Sequence, residues 1–306
     1  MSNIVNIADS QTSSAFGAGP QLMPSRTLVA KGATHLDRIP QHLEGVRDYL
    51  AKLDTLQDPR DEERSFSQLH MNFKDGRVTG QFLGPDGLSG SPMLVHSNAY
   101  RQMSGNLLPP RFGSGLLAQS HLGERGEQLS TLSWALFGRE SNLPRMFRVA
   151  NLKDIDGQIQ PCIRAQASQG YARYSNLQFV QDLLDNAGDL ADMPVVDFRV
   201  TDLGFRLRFA ETPLDQMELD VPVAMFEAWN SETGNRKTGL SAGAWKLWCT
   251  NGCGTWESGA KFEWRHFGDP GRIREGVASA MTEVRTQAKG VVDAYNMALD
   301  VSIDDA

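Results

Sequence analysis

The chain has 306 residues, of which 40% are hydrophobic and 22% charged, so it is long enough for one large globular domain or two ordinary ones. Its formal net charge of -7 excludes a protein that coats duplex DNA by bulk electrostatics, although a local basic groove is compatible with it. The 3 cysteines are too few for a disulfide framework and indicate a reducing compartment, and no apolar run is long enough to span a membrane.

The N-terminal half is predicted to be a flexible arm followed by an α+β region over 31–150. Residues 1–30 are rich in Ser, Gly, Ala and Gln and lack the basic and apolar regions of a secretory signal, so we expect a disordered arm. Apolar residues then recur at helical spacing over 34–56, and the helix is predicted to begin near Pro40. The other predictions in this half are a charged break over 57–64, a hairpin over 66–83 around Asp75-Gly76, a loop over 84–90, helices over 92–103 and 115–121, and strands over 130–136 and 146–149.

The strongest β-strand signal in the chain is a hairpin near residue 200. Apolar residues alternate with Arg199 before the turn Asp202-Leu203-Gly204, and with Arg206 and Arg208 after it. Because side chains alternate across a strand, one face of this hairpin is predicted to be apolar and the other to present the three arginines.

The rest of the second half, 151–299, is predicted to be an antiparallel β-sheet packed against a long C-terminal helix. The helix begins at Pro270 with Asp269 as its N-cap. Grouped strands followed by a helix are typical of the α+β class, and we place a domain boundary near residue 150. The other predicted elements are a helix over 176–186, strands over 221–229, 240–249 and 255–267, a tight turn at Thr250-Asn251-Gly252, and an acidic tail over 300–306.

Two segments support a resemblance to a known family. The first contains Arg164-Ala165, Ser168, Tyr171, Tyr174 and Asn176; the second contains Asn230-Ser231-Glu232-Thr233-Gly234, the stretch 247–252 and Arg265-His266. Together they resemble the phage/plasmid-like family called domain of unknown function 932, which includes the YafZ/YfjQ-type proteins, over roughly residues 66–290. The family tends to have Ser-Asp-Arg-Tyr where this chain has Ser168-Gln169-Gly170-Tyr171. The resemblance implies a phage, plasmid or prophage protein in the cytoplasm of a bacterial host, and it implies no established activity.

Basic and aromatic residues are interleaved in the later strands. Between residues 236 and 289, 9 basic residues outnumber 5 acidic ones in a chain whose net charge is -7. Cations beside stacking rings are what single-stranded nucleic acid binding requires. The alternative is that the tryptophans fill the core and the cations are solvated. The candidate phosphate-binding residues are Arg199, Arg206, Arg208, Arg236, Lys237, Lys246, Lys261 and Arg265, and the candidate stacking residues are Trp248 and Trp264.

Catalytic and metal-binding signals are weak. Cys249, Cys253 and His266 provide three zinc ligands where four are usual, and the alternative is that the cysteines are small buried residues. The stretch 230–234 is compatible with ligand binding or with a hairpin turn. The chain has no P-loop, dinucleotide fingerprint, GxSxG or HExxH motif, so no catalytic residue, metal or cofactor is predicted.

Three functions follow from these observations. The first is a single-stranded DNA-binding protein that acts without ATP as a homo-oligomer, similar in plan to single-strand annealing proteins of the Red-beta/RecT kind. The second is a non-enzymatic structural or interaction protein of a phage that does not bind DNA. The third, an enzyme acting on nucleic acid through His266 beside Arg265, is the least favoured because no carboxylate cluster for two metals is evident.

Overall fold

The computed structural model describes residues 40–74, 77–107, 142–153, 158–248 and 254–300. In these ranges the chain forms two β-sheets and four α-helices, which confirms the predicted α+β class. The helices are α1 (Leu43–Gln57), α2 (Ser97–Leu107), α3 (Asn176–Ala187) and α4 (Pro270–Asp300).

The first sheet has six strands and lies against α2. Its strands are β1 (Arg60–Ser65), β2 (Leu69–Lys74), β3 (Arg77–Gly84), β4 (Gly87–Val95), β5 (Pro144–Lys153) and β6 (Ile159–Ser168). They lie in the order β1-β5-β6-β4-β3-β2, and β4 and β6 are the parallel pair in an otherwise antiparallel sheet. Phe66, Phe147 and Ile163 pack with Met103 of α2 in the core of this sheet.

The second sheet is antiparallel and packs against α4, as predicted, and its strands follow one another as a meander, an order that the sequence did not predict. Its strands are β7 (Val195–Val200), β8 (Phe205–Ala210), β9 (Pro222–Asn230), β10 (Thr238–Leu247) and β11 (Gly254–Trp264), in the order β11-β10-β9-β8-β7. A row of paired apolar residues crosses the sheet on the side of the helices: Phe198, Leu207, Ala228, Leu240 and Phe262. Two-residue alternation therefore leaves polar residues on the other side of the same strands.

Helix α4 begins as the sequence predicts and joins several elements into one core. Asp269 caps it by accepting a hydrogen bond from the Gly271 N–H at 2.8 Å. Its buried residues Val277 and Met281 share a core with the second sheet and α3. Leu43 and Leu50 of α1 pack into the same core, so the N-terminal helix belongs with the second sheet.

Five sequence predictions differ from the structure. Residues 87–90, part of the stretch predicted as a loop over 84–90, begin β4. The charged stretch predicted as a break over 57–64 contains β1, an edge strand whose charged residues give no alternation. Residues 92–95, predicted as helix, end β4, and α2 begins only at Ser97. Strand β6 was not predicted, because Arg164 and Gln166 are buried in it. The boundary placed near residue 150 falls inside β5, and the change from the first sheet to the second occurs between β6 and β7.

Other predictions lie outside the described residues. They are the arm over 1–30, the helix over 115–121, the strand over 130–136, the turns at 75–76 and 250–252, and residues 301–306 of the acidic tail. None of the helices in the described ranges combines the length and apolar character that crossing a membrane requires.

Candidate nucleic-acid interface

The side of the second sheet that faces away from the helices presents polar residues. Two neighbouring rows of paired residues form this surface, which we call the polar face: Asp197, Arg199, Arg206, Arg208, Glu227, Trp229, Gly239, Ser241, Lys261 and Glu263. Arg199, Arg206 and Trp229 are successive partners in one row, and Arg208 and Glu227 are partners in the next. The predicted alternation in the hairpin near residue 200 thus places its three arginines together.

Two further cations reach the polar face from the connection between β9 and β10. Arg236 lies over Trp229, with its Cζ 4.6 Å from the ring centroid, and Lys237 Nζ lies 3.0 Å from Glu263 Oε2. With these two, six cations face three carboxylates, a local excess of three positive charges in a chain whose net charge is -7. The surface is therefore locally basic although the chain is acidic.

Ion pairs hold part of this positive charge in place. Arg206 pairs with Asp197 at 2.8 Å and Arg208 pairs with Glu227 at 2.9 Å. Lys261 and Lys237 both pair with Glu263, and their hydrogen bonds lower the pKa of that carboxyl. Arg199 and Arg236 make no ion pair with any residue of the described ranges, so these two guanidinium groups are the ones most open to an anionic ligand.

Arg236 lies in an unusual environment for a cation. Burial lowers its pKa, and the positive charge of Arg206 lowers it further, whereas Glu227 and Glu263 act in the opposite direction. A group with a depressed pKa holds its charge at a free-energy cost. An added negative charge at this position would reduce that cost.

Buried N–H donors without a partner are concentrated on the same side of the sheet. Arg199 Nε, Arg206 Nε, Trp229 Nε1 and Trp245 Nε1 are buried and have no hydrogen-bond partner in the described structure. A buried donor left unpaired costs about 1–3 kcal/mol, so such groups are usually satisfied in native proteins. These four N–H groups are buried within the protein, so they are not themselves accessible to a bound ligand.

The structure does not bring all of the predicted residues to the polar face. Trp264 lies on the opposite side of β11, where it packs against α4 at Gly276, so it is not a stacking residue of this surface. Lys246 pairs with Asp220 at 3.1 Å near the end of β10. Trp248 follows the last residue of β10 with 63% of its side chain exposed, and Arg265 is exposed just after β11.

Sequence reasoning did not assign three tryptophans that lie on the polar side of the sheet. Trp229 lies in the same row as Arg206, and Trp245 lies further along β10 with Trp256 of β11 as its cross-strand partner. Trp229 and Trp245 alternate in step with the polar residues of their strands, so the two-residue period would have found them, whereas the irregularity in β11 interrupts that period before Trp256.

The two segments that support the family resemblance meet in a buried polar cluster between the sheets. Arg164 Nη1 lies 3.4 Å from Glu232 Oε2, and Glu232 Oε1 accepts a hydrogen bond from the Asn176 N–H at 2.6 Å. Asn230 donates to Asn176 Oδ1 at 3.0 Å. Arg148 also donates to the Glu232 carbonyl, so residues from both sheets converge on one glutamate.

The stretch 230–234 satisfies its own polar groups within the protein. The hydroxyls of Ser231 and Thr233 both donate to the carbonyl of Leu203, and the Thr233 carbonyl accepts from Gln102 of α2. Asn230, Ser231 and Thr233 are buried. Of the two alternatives predicted for this stretch, these contacts favour a structural turn.

His266 is part of the same cluster. Its ring stacks on Tyr171 with centroids 5.1 Å apart, Nε2 lies 3.0 Å from Thr238 Oγ1, and Nδ1 lies 3.3 Å from the Ala172 carbonyl. Burial lowers the pKa of His266 to about 4. Because both ring nitrogens face partners within the fold, the side chain is poorly placed to bind a metal or to act on nucleic acid.

A second buried histidine joins the first sheet to the hairpin turn near residue 200. His96 Nδ1 accepts from the Asn98 N–H, so Nε2 donates to Asp202 Oδ2 at 2.9 Å. Arg164 Nε donates to the carbonyl of the same aspartate. These contacts fix the position of the turn relative to the first sheet.

The described residues offer little support for a metal site or for a reactive cysteine. No group of three or more His, Cys, Asp or Glu side chains in those ranges is arranged to hold a metal ion. Burial raises the pKa of the Cys162 thiol, which makes it an inert core residue. Cys249 and Cys253 lie outside the described residues.

The chain matches no family model, no curated protein and no solved structure. The resemblance to the phage/plasmid-like family therefore stays a prediction that depends on the residues quoted above.

Proposed function

We propose that this protein binds single-stranded nucleic acid, with single-stranded DNA as the expected ligand, through the polar face. The observation that supports this most is the local excess of positive charge on the polar face, where six cations face three carboxylates and Arg199 and Arg236 make no ion pair within the described ranges. A nucleic acid strand supplies both a negative charge and acceptor oxygens at every phosphate, which is the chemistry that this surface lacks.

The test is fluorescence anisotropy with labelled oligo(dT) over a range of salt concentrations. If about three or four phosphates are neutralised, the slope of log K against log salt is about -2 to -3. No binding at low salt, or binding without a salt slope, would remove the proposal.

A double variant identifies the surface. Arg199→Gln combined with Arg236→Gln removes the two guanidinium groups without an ion pair, and we expect affinity for oligo(dT) to fall by about tenfold or more. The control, Lys52→Gln combined with Arg272→Gln, makes the same change in net charge at exposed positions on α1 and α4. Equal losses in the two double variants would show that binding is not located on the polar face.

As a finer proposal, the protein anneals complementary strands without ATP as a homo-oligomer encoded by a phage or plasmid. This rests on the similarity in plan to Red-beta/RecT proteins, an analogy at the level of architecture. Mixing complementary oligonucleotides with the protein should accelerate duplex formation, and light scattering should give a mass several times that of one chain. A monomer that leaves the annealing rate unchanged would contradict it.

The alternative is a structural or interaction protein that does not bind DNA. The observation in its favour is that Arg206, Arg208 and Lys261 already have carboxylate partners on the polar face. A surface with paired charges is also suited to contact another protein. An assembly that is insensitive to salt and has the absorbance ratio of pure protein would support this alternative over nucleic acid binding.

A further inference from the structure

We infer that the polar face recognises the phosphodiester backbone of its ligand and does not stack on the bases. This inference rests on the proposed function and narrows it to the class of ligand chemistry. It depends on how two of the three indole rings on this side of the sheet, Trp229 and Trp245, are covered. The third, Trp256, pairs with Trp245 and is half-buried against the apolar cluster of Ala210, Val223 and Met225.

The first ring, Trp229, is enclosed between the sheet and two cations. A Cβ on Gly239, its cross-strand partner, would lie 2.2 Å from Trp229 Cζ2, so the ring rests directly on the backbone of β10. Arg236 Cζ lies 4.6 Å and Lys261 Nζ 5.6 Å from the ring centroid. The side chain is only 2% exposed, so no base can reach its face while these cations are in place.

The second ring, Trp245, repeats the arrangement. A Cβ on Gly254 would lie 2.8 Å from Trp245 Cε2, and Arg208 Cζ lies 5.5 Å from the ring centroid. In both places a glycine lies under the indole and a cation lies over it. At Gly239 a side chain would displace the ring, whereas at Gly254 it would first meet the backbone carbonyl oxygen of Lys246 and then the ring.

A cation held over an aromatic ring is oriented and partly desolvated. The ring quadrupole attracts the guanidinium, and the fixed planar group then presents its N–H donors in a defined direction. Phosphate oxygens are the acceptors that such a group binds most strongly. Trp229 and Trp245 therefore hold arginines in position. The surface contacts the negative charge and the acceptor oxygens of the phosphodiester, which are the same for every base.

Competition experiments separate backbone recognition from base stacking. Unlabelled oligo(dT), an abasic phosphodiester oligomer of the same length and a methylphosphonate oligo(dT) compete with labelled oligo(dT) for the full chain. We expect the abasic oligomer to compete within about threefold of oligo(dT), because each stacked base would contribute about fivefold or more. The uncharged methylphosphonate should fail to compete.

The outcomes distinguish this inference from the function on which it rests. Binding of oligo(dT) with an abasic oligomer at least tenfold weaker overturns backbone recognition and leaves nucleic acid binding intact. No binding of oligo(dT) overturns both. Trp248, the exposed ring beyond β10, provides the second check. Trp248→Ala should leave the affinity for oligo(dT) unchanged within about twofold, whereas a loss of fivefold or more would show that bases stack there.

Discussion

At the scale of single residues, His266 shows how a candidate catalytic group becomes a structural one. Its position beside Arg265 suggested nucleic acid chemistry, but the ring stacks on Tyr171 and contacts Thr238 and the Ala172 carbonyl. Burial, together with the positive charge of Arg148, lowers its pKa to about 4, although the Ala172 carbonyl and Glu232 oppose the shift. The imidazole is thus neutral in the folded protein over the physiological range.

This predicts a loss of stability as the pH falls. Between about 6.5, the ordinary pKa of histidine, and about 4, the unfolded chain binds a proton at His266 that the folded chain does not, so the free energy of unfolding decreases with decreasing pH. We expect a contribution of about 2 kcal/mol between pH 7 and pH 5, measured by urea unfolding.

The comparison that isolates this contribution is with His266→Asn. Asp54, whose pKa burial raises to about 6, acts in the opposite direction, because the folded chain takes up its proton first as the pH falls. Subtracting the pH dependence of the free energy of unfolding of the variant from that of the wild type cancels the contribution of Asp54, because both proteins contain it. His70→Asn, at an exposed position on β2, is the control, and an identical pH dependence in wild type and His266→Asn would contradict the prediction.

At the scale of elements, two glycines of α4 should respond oppositely to the same substitution. A Cβ on Gly276 would lie 2.3 Å from Trp264 Nε1, whereas a Cβ on Gly290 has no neighbour within 4 Å. Gly276→Ala should lower the free energy of unfolding by about 1–2 kcal/mol, because the indole must shift. Gly290→Ala should raise it by about 0.5–1 kcal/mol through helix propensity. Thermal unfolding measures both, and equal effects would contradict the packing of Trp264 on α4.

The elements also show how far prediction from the sequence reached. The hairpin near residue 200 was predicted together with its arginine side, because one face of it packs on the helices and the other does not. Strand β1 was missed because it is a charged edge strand, and β6 because Arg164 is buried in it. Alternation identifies a strand only when burial differs between its two faces.

At the scale of the whole molecule, polar contacts join the two largest of the four apolar clusters in the described residues. One core lies in the first sheet and the other between the second sheet and the helices α1, α3 and α4. Between them, Arg148 and Arg164 contact Glu232, and His96 contacts Asp202. Buried ionic contacts of this kind are costly to break, because removing one partner leaves a charge without compensation.

Arg164→Met should therefore weaken the connection between the two halves. We expect a loss of about 3–5 kcal/mol in the free energy of unfolding, since Glu232 stays buried without its cation. Five of the 6 tryptophans follow residue 228, so tryptophan fluorescence reports on the second sheet while circular dichroism reports on both. The two transitions in urea should separate in this variant and coincide in the wild type.

The control is Arg173→Met, which removes an exposed arginine 3.6 Å from Asp61 and should cost less than about 1 kcal/mol. If Arg164→Met unfolds at the same urea concentration as the wild type, the polar cluster does not hold the two halves together.

The sequence by itself determined the α+β class, the antiparallel sheet with its trailing helix, and the arginine side of the hairpin near residue 200. Each of these depends on local periodicity and on the contrast between a buried and a solvated face, which neighbouring residues are enough to specify. The tertiary structure alone decided which rings share a surface with the cations. Trp264 faces α4, whereas Trp229 and Trp245 lie beneath arginines, because strand pairing and register bring together residues that are distant in the chain. The same long-range pairing joins Arg164 to Glu232, a contact that no local pattern contains.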